Sequence, residues 1–292
     1  MKPLFVSSFL AFESVATGVA VAFLARGGGL AWAGVLGTSA PLLVLLGWAY
    51  ATRSLARTSA GLPVVTAAAV SGVALSLFAS DGADGGTSRI LAGVGLLGTL
   101  TYVFWYSKLD RKETPLLRRG LPLPFFEATD ESGTPFSSTT LLGRPAVILF
   151  YRGNWCPFCV AQVGELAAAW RELERRGAQV VLVSPQPASH TRALAERLGV
   201  PMRFVVDDES RIGRALGIVH EGGLPAGLQV LGYDSDTVLP TAIVTDAEGR
   251  ILLADATDNY RVRPEPATFI AVLDAATKAS HSSTGAGGIA ST

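Results

Sequence analysis

Cysteine and charge are both scarce in this sequence of 292 residues. Its two cysteines, Cys156 and Cys159, exclude a secreted fold stapled by several disulfides. Charged residues make up 16% of the chain, against roughly 25% in an average soluble domain, and a net charge of zero gives no footprint for nucleic acid. The shortage is uneven, because residues 3–107 hold few charges whereas residues 108–279 have ordinary soluble composition. We therefore expect two domains in two different environments.

Four apolar runs fill the first part of the chain, at residues 4–25, 30–51, 62–80 and 90–106. A helix needs about 20 apolar residues to cross a bilayer, with a range of about 17–25. The first two runs meet this easily, and the last two lie near the lower limit. A buried bundle in a soluble protein fits poorly with four runs joined by short polar links. Residues 1–107 are therefore predicted to form an all-α transmembrane bundle of about four helices in the cell membrane, with the lipid bilayer as a partner.

Lysine and arginine around the four runs predict the orientation. With four crossings, the N-terminus, the loop between the second and third runs and the C-terminal half share one side. That side holds Lys2, Arg53, Arg57, Lys108, Arg111, Lys112, Arg118 and Arg119. The other side holds Arg26 and Arg89. Positive loops stay in the cytoplasm, so we expect a cytoplasmic C-terminal half, even if one of the weaker helices is absent.

Two features of the membrane half invite a functional interpretation. Gly93, Gly95 and Gly98 fit the GxGxxG pattern, which binds dinucleotides only where it follows a strand and opens a helix. Here the pattern lies inside an apolar helix, where glycines let helices approach closely, so no nucleotide site is predicted. Glu13 would place a carboxylate at membrane depth, which is costly. It is either functional, or protonated or paired with a serine or threonine.

The C-terminal half alternates strand and helix patterns after a basic linker at residues 108–120. Apolar runs between turn residues predict strands at 125–129, 135–136, 146–151, 179–184, 203–206, 241–245 and 250–254. Helical patterns occupy residues 156–176, 189–198, 209–216 and 264–279. Strand–helix–strand units predict an α/β domain over residues 121–279, with a central mixed sheet, flanking helices and an antiparallel hairpin at the edge. A glycine-rich insertion fills residues 218–237, and residues 280–292 are expected to be a disordered tail.

Cys156 and Cys159 fall where a central strand meets the start of a helix. Helix N-termini carry unsatisfied N–H groups and about half a positive charge, which lowers a thiol pKa from about 8.5 towards neutrality or below. At a spacing of three residues the two sulfurs share one helical turn and can form a bridge. Pro157 suits the first turn, where its missing N–H loses no hydrogen bond. One thiolate is expected to attack a substrate and the other to resolve the intermediate.

A metal site is the main competing interpretation of the cysteine pair. Zinc usually takes four ligands, and the pair supplies half of them. The histidines are His190 at a helix start, His220 in the insertion and His281 in the tail. We therefore predict no metal site, and the strand–CxxC–helix context favours redox chemistry over two unremarkable buried residues.

Residues 151–159, Tyr-Arg-Gly-Asn-Trp-Cys-Pro-Phe-Cys, resemble the active-site segment of the thioredoxin-like superfamily. The extra N-terminal hairpin and the central insertion resemble its peroxiredoxin-like branch, the AhpC/TSA family. Leu239-Pro240-Thr241 is similar to the cis-proline loop that faces the cysteines in thioredoxin folds. The resemblance covers about residues 121–275 and implies a thioredoxin-like α/β fold. It implies catalytic roles for Cys156, Cys159 and Pro240, supported by Arg152, Trp155, Pro157 and Thr241.

Two departures from the peroxiredoxin pattern affect the expected chemistry. The family has a threonine three residues before its peroxidatic cysteine, and Cys156 stands there if Cys159 is the match. Its helper arginine would fall near Pro240, where no arginine stands. These losses favour disulfide exchange, although Arg152 would supply positive charge unless it is solvated. In a thioredoxin-type alignment Cys156 is the nucleophile and Cys159 resolves, and in a peroxiredoxin-type alignment the roles are exchanged.

Three functions are compatible with these residues. The first is a thiol-dependent peroxidase, an antioxidant oxidoreductase at the membrane with a peroxide substrate. The second is a thiol–disulfide reductase acting on protein disulfides. The third is a non-enzymatic membrane redox sensor whose dithiol changes the packing of the helices. No haem, flavin or nucleotide motif is visible, so we predict no cofactor and expect electrons from an external thioredoxin- or glutathione-like thiol.

Overall fold

The computed structural model describes residues 1–79 and 85–286, and it begins with a bundle of helices. These are α1 (Lys2–Ala25), α2 (Leu30–Thr52), α3 (Pro63–Phe78) and α4 (Gly85–Thr101). A π-helical turn at Tyr102–Tyr106 continues α4. Within the described ranges, α1, α2 and the continuous helix Gly85–Tyr106 are long and apolar enough to cross a membrane. The third predicted helix is shorter than expected, with 16 residues, and its expected end at Ser80 lies outside the described residues.

Small residues allow close packing of these helices. A side chain at Gly34 of α2 would collide with the backbone of Gly72 in α3. A side chain at Gly98 of α4 would overlap the Phe9 ring of α1. The GxGxxG stretch therefore lies within a helix, and its last glycine serves packing, because the missing side chain of Gly98 lets the Phe9 ring approach.

Glu13 lies inside this bundle and is fully buried. Neither of its carboxyl oxygens has a hydrogen-bond partner, so the expected pairing with a serine or threonine is not formed. A Cβ atom at Gly95 would lie 2.8 Å from the Thr38 hydroxyl and 3.4 Å from a Glu13 oxygen. A buried polar group without a partner destabilises the fold, so Glu13 is a local cost to the bundle.

The C-terminal half is built on a mixed sheet of seven strands. The strands of this half are β1 (Glu127–Asp130), β2 (Pro135–Ser137), β3 (Ala146–Phe150), β4 (Gln179–Ser184), β5 (Arg203–Val206), β6 (Val219–His220), β7 (Thr237–Val238), β8 (Thr241–Thr245) and β9 (Ile251–Asp255). The order across the sheet is β2-β1-β5-β4-β3-β8-β9, and β6 pairs with β7 in the insertion. Strands β3, β4 and β5 are parallel, while β1 and β8 join them antiparallel.

Helices cover this sheet, and the first of them begins next to its central strand. They are α5 (Pro157–Arg175), α6 (Ala188–Leu198), α7 (Arg211–Leu216) and α8 (Pro266–Ala286). Every residue of β3 is buried, and Ile148 pairs with Val181 of β4 on one side and Ile243 of β8 on the other. The predicted thioredoxin-like α/β class is confirmed, and β3 delivers the chain directly to the start of α5.

The start of α7 and the end of α8 differ from the prediction. Helix α7 begins at Arg211, because Glu209 and Ser210 adopt left-handed φ angles of 52° and 54°. The buried Asp207 carboxylate accepts two backbone N–H groups of α7, at 2.7 and 2.9 Å. Helix α8 extends to Ala286, through the first part of the expected tail, and residues 287–292 lie outside the described residues.

One end of the helix bundle contacts the α/β domain. Arg57, in the loop between α2 and α3, forms an ion pair with Glu165 of α5. Arg261, which follows β9, is fully buried. It donates hydrogen bonds to the Thr58 hydroxyl at 2.7 Å and to the Ala60 carbonyl at 2.9 Å. The loop between α2 and α3 is therefore held against the domain that carries the cysteines.

The expected linker at residues 108–120 belongs to the same contact. The Leu109 N–H donates to the Asp258 carbonyl at 2.8 Å. At the start of α1, the Lys2 ammonium forms an ion pair with Asp110 at 2.5 Å. The N-terminus, the loop between α2 and α3 and the end of α4 thus meet one face of the domain.

Candidate active site

Cys156 and Cys159 lie at the start of α5, where Cys156 is the N-cap residue and Pro157 the first helical residue. The Cys156 carbonyl accepts the Cys159 N–H at 3.0 Å. Gly153, with a φ of 138°, allows the turn from β3 into this helix. Both cysteines are free thiols, and their exposed fractions are 1% and 0%. The two thiols therefore lie within one helical turn and are shielded from water.

Arg263 is the residue that the sequence analysis missed. Its Nη2 atom lies 3.3 Å from the Cys159 sulfur and 3.7 Å from the Cys156 sulfur. The side chain is buried and held by hydrogen bonds to the Gln162 side chain at 3.0 Å and the Tyr260 carbonyl at 2.8 Å. Although no arginine stands near Pro240 in the sequence, the Arg263 guanidinium reaches the thiols from the loop after β9. No local pattern signals this contact, because it joins distant parts of the chain.

Arg152 is the second guanidinium at the site, and it is buried with an exposed fraction of 3%. Its charged end lies 4.5 Å from the centre of the Trp155 ring and 5.4 Å from that of Tyr260. It also donates a hydrogen bond to the Gly223 carbonyl in the insertion. The alternative of a solvated Arg152 is therefore wrong, since the side chain is buried among rings beside the cysteine pair.

These charges decide which sulfur ionises first. Burial opposes ionisation of Cys159, but the hydrogen bond from the Cys156 thiol and the charges of Arg263 and Arg152 outweigh it and lower the Cys159 pKa to about 5. Burial and the neighbouring Cys159 raise the pKa of Cys156 well above its ordinary value. One proton is thus shared by the pair, and we assign the anion to Cys159, because Arg263 is closer to that sulfur.

Pro240 and Thr241 lie next to Arg263, but not in the expected conformation. No peptide bond in the described residues is cis, so the expected cis-proline at Leu239–Pro240 is wrong. Arg111 donates to the Pro240 carbonyl at 3.0 Å and to the Thr241 hydroxyl. Pro240, Thr241 and Arg263 line one small space of about 10 Å³. The structure therefore places both residues beside the arginine that holds the thiols.

A side-chain network fixes the loop between β3 and α5. The Gln186 amide oxygen accepts the Asn154 N–H at 2.8 Å, and its nitrogen donates to the buried Tyr151 hydroxyl at 3.0 Å. The Asn154 side chain donates to the His190 carbonyl at 2.8 Å. These bonds hold the residues before Cys156 in place and so set the position of the helix start.

Two of the histidines, His190 and His220, lie in the described part of the α/β domain. The His190 ring stacks on Tyr233 with 4.7 Å between ring centres. His220 is largely buried, and burial, followed by the charge of Arg152, lowers its pKa to about 3. Among the side chains that the structure describes, in residues 1–79 and 85–279, no group of three or more His, Cys, Asp or Glu is placed to hold a metal ion.

Tyrosines from both halves of the chain meet above the cysteine pair. The Tyr102 and Tyr260 hydroxyl groups share a hydrogen bond. Tyr106 stacks on Tyr102 with 5.4 Å between ring centres and meets the Tyr260 ring edge-on at 5.9 Å. The π-helical turn after α4 makes this possible, because it turns both Tyr102 and Tyr106 towards the domain.

A cavity of about 310 Å³ lies between these tyrosines, the helix bundle and the cysteine pair. Its wall includes Cys156 with Arg152, Trp155, Pro157 and Phe158 from the domain. The helix bundle contributes Val6, Ser7, Leu10, Leu46, Tyr50, Tyr102 and Tyr106. The wall of the cavity is completed by Pro225, Ala226, Leu228 and Tyr260. The space beside the thiols is thus built jointly by both halves of the chain.

Residues 120–254 match the sequence model of the AhpC/TSA family. Among curated proteins, the chain is similar to the chloroplastic peroxiredoxin Q of Sedum lineare, with 25% identity over 122 residues. It is also similar to that of Populus jackii, with 27% identity over 125 residues. These alignments cover 41% and 42% of this chain and 61% and 58% of the relatives. The chain therefore spans about three fifths of the length of the curated relatives it matches.

Solved structures provide further similarities. The peroxidoxin BcpB of Mycobacterium tuberculosis aligns with a TM-score of 0.46 and 21% identity, over 55% of this chain and 97% of that one. The AhpC of Enterococcus faecalis aligns with a TM-score of 0.47 and 18% identity, over 56% of this chain and 94% of that one.

Proposed function

We propose, from the premise that residues 120–254 form a peroxiredoxin-like domain of the AhpC/TSA type, that this chain is a membrane-anchored thiol peroxidase. Its substrate is a peroxide, and its redox centre is the pair Cys156 and Cys159. The contact of the Arg263 guanidinium with the Cys159 sulfur carries the proposal. A thiolate is the reactive form of cysteine, and a neighbouring arginine maintains it at neutral pH.

The proposed reaction consumes the one thiol proton that Cys156 holds and one proton from the solvent, which converts the released hydroxide to water. The Cys159 thiolate attacks the terminal oxygen of the peroxide, the O–O bond breaks, and Cys159 becomes a sulfenic acid. The leaving alkoxide takes the proton of Cys156 and departs as an alcohol. The Cys156 thiolate then attacks the Cys159 sulfur, which forms a disulfide and releases hydroxide, protonated to water. The dithiol loses two electrons and the peroxide gains them.

The two guanidinium groups are assigned an electrostatic role in this reaction. Arg263 and Arg152 both stabilise negative charge on the cysteine pair. Fixed positive charges in a site shielded from water stabilise a developing oxyanion more strongly than solvent does. Arg263 therefore takes over the role of the missing helper arginine, and Cys156 occupies the place of the missing threonine as a proton donor.

The remaining assignments concern the membrane anchoring, the orientation and the electron donor. Residues 1–107 would anchor the chain in the cell membrane by several passes, and residues 108–120 and 121–279 would be the connecting segment and the redox domain. The Lys and Arg distribution favours a cytoplasmic redox domain. An external thioredoxin- or glutathione-like thiol would reduce the disulfide and close the cycle. Protease digestion of sealed vesicles, inside-out against right-side-out, tests the orientation.

Peroxide turnover by the full chain in lipid nanodiscs tests the proposed activity. With dithiothreitol as donor, we expect the wild type to consume hydrogen peroxide far faster than a free thiol does. Cys159→Ser is expected to lose this activity. Cys156→Ser should accumulate one sulfenic acid, which dimedone labelling and mass spectrometry locate at Cys159. A sulfenic acid formed at wild-type rate on Cys156 in Cys159→Ser would instead exchange the two roles.

Thiol–disulfide reduction is the second candidate, and the spacing of Cys156 and Cys159 within one helical turn favours it. A protein disulfide has to reach a sulfur, however, and these sulfurs belong to residues with exposed fractions of 1% and 0%. Comparing insulin reduction with peroxide reduction by the same preparation separates the two activities. Fast insulin turnover with no peroxide turnover would make this second candidate the function.

A non-enzymatic redox sensor is the third candidate. The loop after β9 carries Arg263, which contacts the thiols, and Arg261, which bonds to the loop between α2 and α3. Oxidation of the pair would remove the anion that Arg263 holds and so alter this loop. A reduction potential near the poise of the compartment, without turnover of peroxide or disulfide, would support the sensor.

A further inference from the structure

The cavity beside Cys156 has a polar end and an apolar end. Arg152, Trp155 and Tyr260 surround it next to the thiol. Away from the thiol its walls include Leu10 of α1 and Leu46 of α2. A molecule that fits this space therefore has one polar group at the cysteine and an apolar part between the helices.

The position of this cavity along the helices is that of a membrane–water interface. Trp48 and Tyr50 at the end of α2 are 62% and 59% exposed, and Trp105 beside the end of α4 is 37% exposed. Tryptophan and tyrosine gather at the level of lipid headgroups. Leu46 lies about one turn deeper than Tyr50 along α2, so the apolar end of the cavity points from the interface towards the hydrocarbon core.

The thiols are screened from the aqueous side. The cysteine residues are 1% and 0% exposed, and Phe158 and Tyr260 pack edge-on against each other beside them, with 5.8 Å between ring centres. The Tyr102–Tyr260 hydrogen bond joins the bundle to the domain at the same place. A water-soluble substrate has no apolar part to fill the space between Leu10 and Leu46, whereas an acyl chain does.

We propose that the helix bundle forms part of the active site and binds the acyl chain of a lipid hydroperoxide, which reaches Cys156 and Cys159 from the bilayer. This inference rests on the proposed peroxidase function. The hydroperoxide group lies at the part of the cavity wall that Cys156 and Arg152 form, and the chain extends past Leu10 and Leu46. Cys159 lies on the same helical turn as Cys156, just outside this wall. The cysteine pair gives two electrons, Cys156 and the solvent give one proton each, the O–O bond breaks, and the products are the lipid alcohol, water and the disulfide.

Filling the apolar end of the cavity tests this assignment. Leu46→Trp inserts a larger side chain there, and Val44→Trp on the same helix is the matched control, because Val44 is 67% exposed and outside the cavity wall. We measure kcat/KM of the full chain in nanodiscs with phosphatidylcholine hydroperoxide and with hydrogen peroxide. We expect Leu46→Trp to lower the ratio of kcat/KM for the lipid substrate to kcat/KM for hydrogen peroxide by about tenfold or more, because the acyl chain is misplaced. Val44→Trp should change neither.

Each alternative outcome has a defined meaning. Wild type that reduces hydrogen peroxide but not the phosphatidylcholine hydroperoxide overturns this inference and leaves the proposed function standing. Equal activity of Leu46→Trp and wild type on the lipid substrate overturns it as well. Failure with both peroxides defeats the proposed function itself. If Leu46→Trp loses both activities, kcat/KM with the same two substrates is measured for Leu10→Phe, which is a smaller change on α1. A loss with the lipid substrate alone then supports the inference, and any other result overturns it.

Discussion

Arg263 lies 3.3 Å from the Cys159 sulfur, although 104 residues separate them in the chain. The contact is made inside the protein, with Gln162 and the Tyr260 carbonyl holding the guanidinium in place. A charge-assisted contact of this kind, away from water, is stronger than its counterpart on a surface. Because the guanidinium is closer to the Cys159 sulfur than to the Cys156 sulfur, we assign the negative charge to Cys159.

Removing this arginine should raise the pKa of Cys159 and slow the reaction. In Arg263→Gln the pKa of Cys159 should return towards the ordinary thiol value of about 8.5. Only a few per cent of the Cys159 thiol is then ionised at pH 7, and peroxide turnover should fall about tenfold or more. Arg211→Gln is the control, since its side chain is 69% exposed and lies on α7. Arg263→Lys should restore part of the rate. An unchanged Cys159 pKa in Arg263→Gln would contradict the assignment of the charge.

The rate at which Cys159 is alkylated in the reduced wild type should fall in acidic solution. The Cys159 pKa is lowered to about 5, so the reactive thiolate is present above that pH and is lost as the pH falls through it. Iodoacetamide labelling rates between pH 4 and pH 10, resolved by mass spectrometry, measure this directly. The raised pKa of Cys156 predicts that the second thiol labels only in alkaline solution. A single transition at the ordinary thiol pKa for both residues would be incompatible with the site.

Close helix packing in the bundle predicts different effects for two glycines of α4. Gly98→Ala places a Cβ atom into the Phe9 ring, whereas Gly93→Ala meets nothing within 4 Å. Overpacking of this kind costs about 1–3 kcal/mol. Thermal unfolding of both variants in the same detergent should show a lower Tm for Gly98→Ala alone. Equal Tm values would mean that α1 and α4 do not pack through this glycine.

Replacing Glu13 tests whether its carboxyl group takes part in the reaction or only destabilises the helix bundle. Glu13→Leu removes two buried oxygens that have no hydrogen-bond partner, so the Tm should rise, because such groups destabilise a fold. Peroxide turnover should stay unchanged if Glu13 has no role in the reaction. A variant that is folded and more stable but has lost turnover would assign a functional role to this carboxyl group, and Glu13→Gln then shows whether its charge is required.

The sequence predicted the elements whose signal is local. Strands β4, β5 and β8 have the predicted bounds, because each is a short apolar run between polar or glycine residues. The start of α7 was misplaced, since nothing in the residue types of Glu209 and Ser210 indicates a positive φ. The end of α8 was placed too early, because a Ser- and Ala-rich segment continues an existing helix as far as Ala286.

Only the residues of the site that lie close together in the sequence could be predicted. The strand–CxxC–helix segment gave Cys156, Cys159 and the start of α5. Arg263 and Tyr260 reach the thiols through the fold, and no spacing rule connects them to the CxxC motif. The environment of Arg152 was equally hidden, because burial of a charged side chain depends on rings supplied by other segments. The cis-proline expectation came from resemblance alone, and the trans bond corrects it.

The shared hydrogen bond between Tyr102 and Tyr260 has a consequence for anyone who prepares this protein. Cutting the chain before residue 108 to obtain a water-soluble fragment would remove Tyr102, Tyr106 and every wall of the cavity that comes from the helices. Solvent would then reach a sulfur that is 1% exposed in the whole chain. Rates and selectivity recorded on such a fragment would describe an opened site, so measurements should use a chain that keeps residues 1–107.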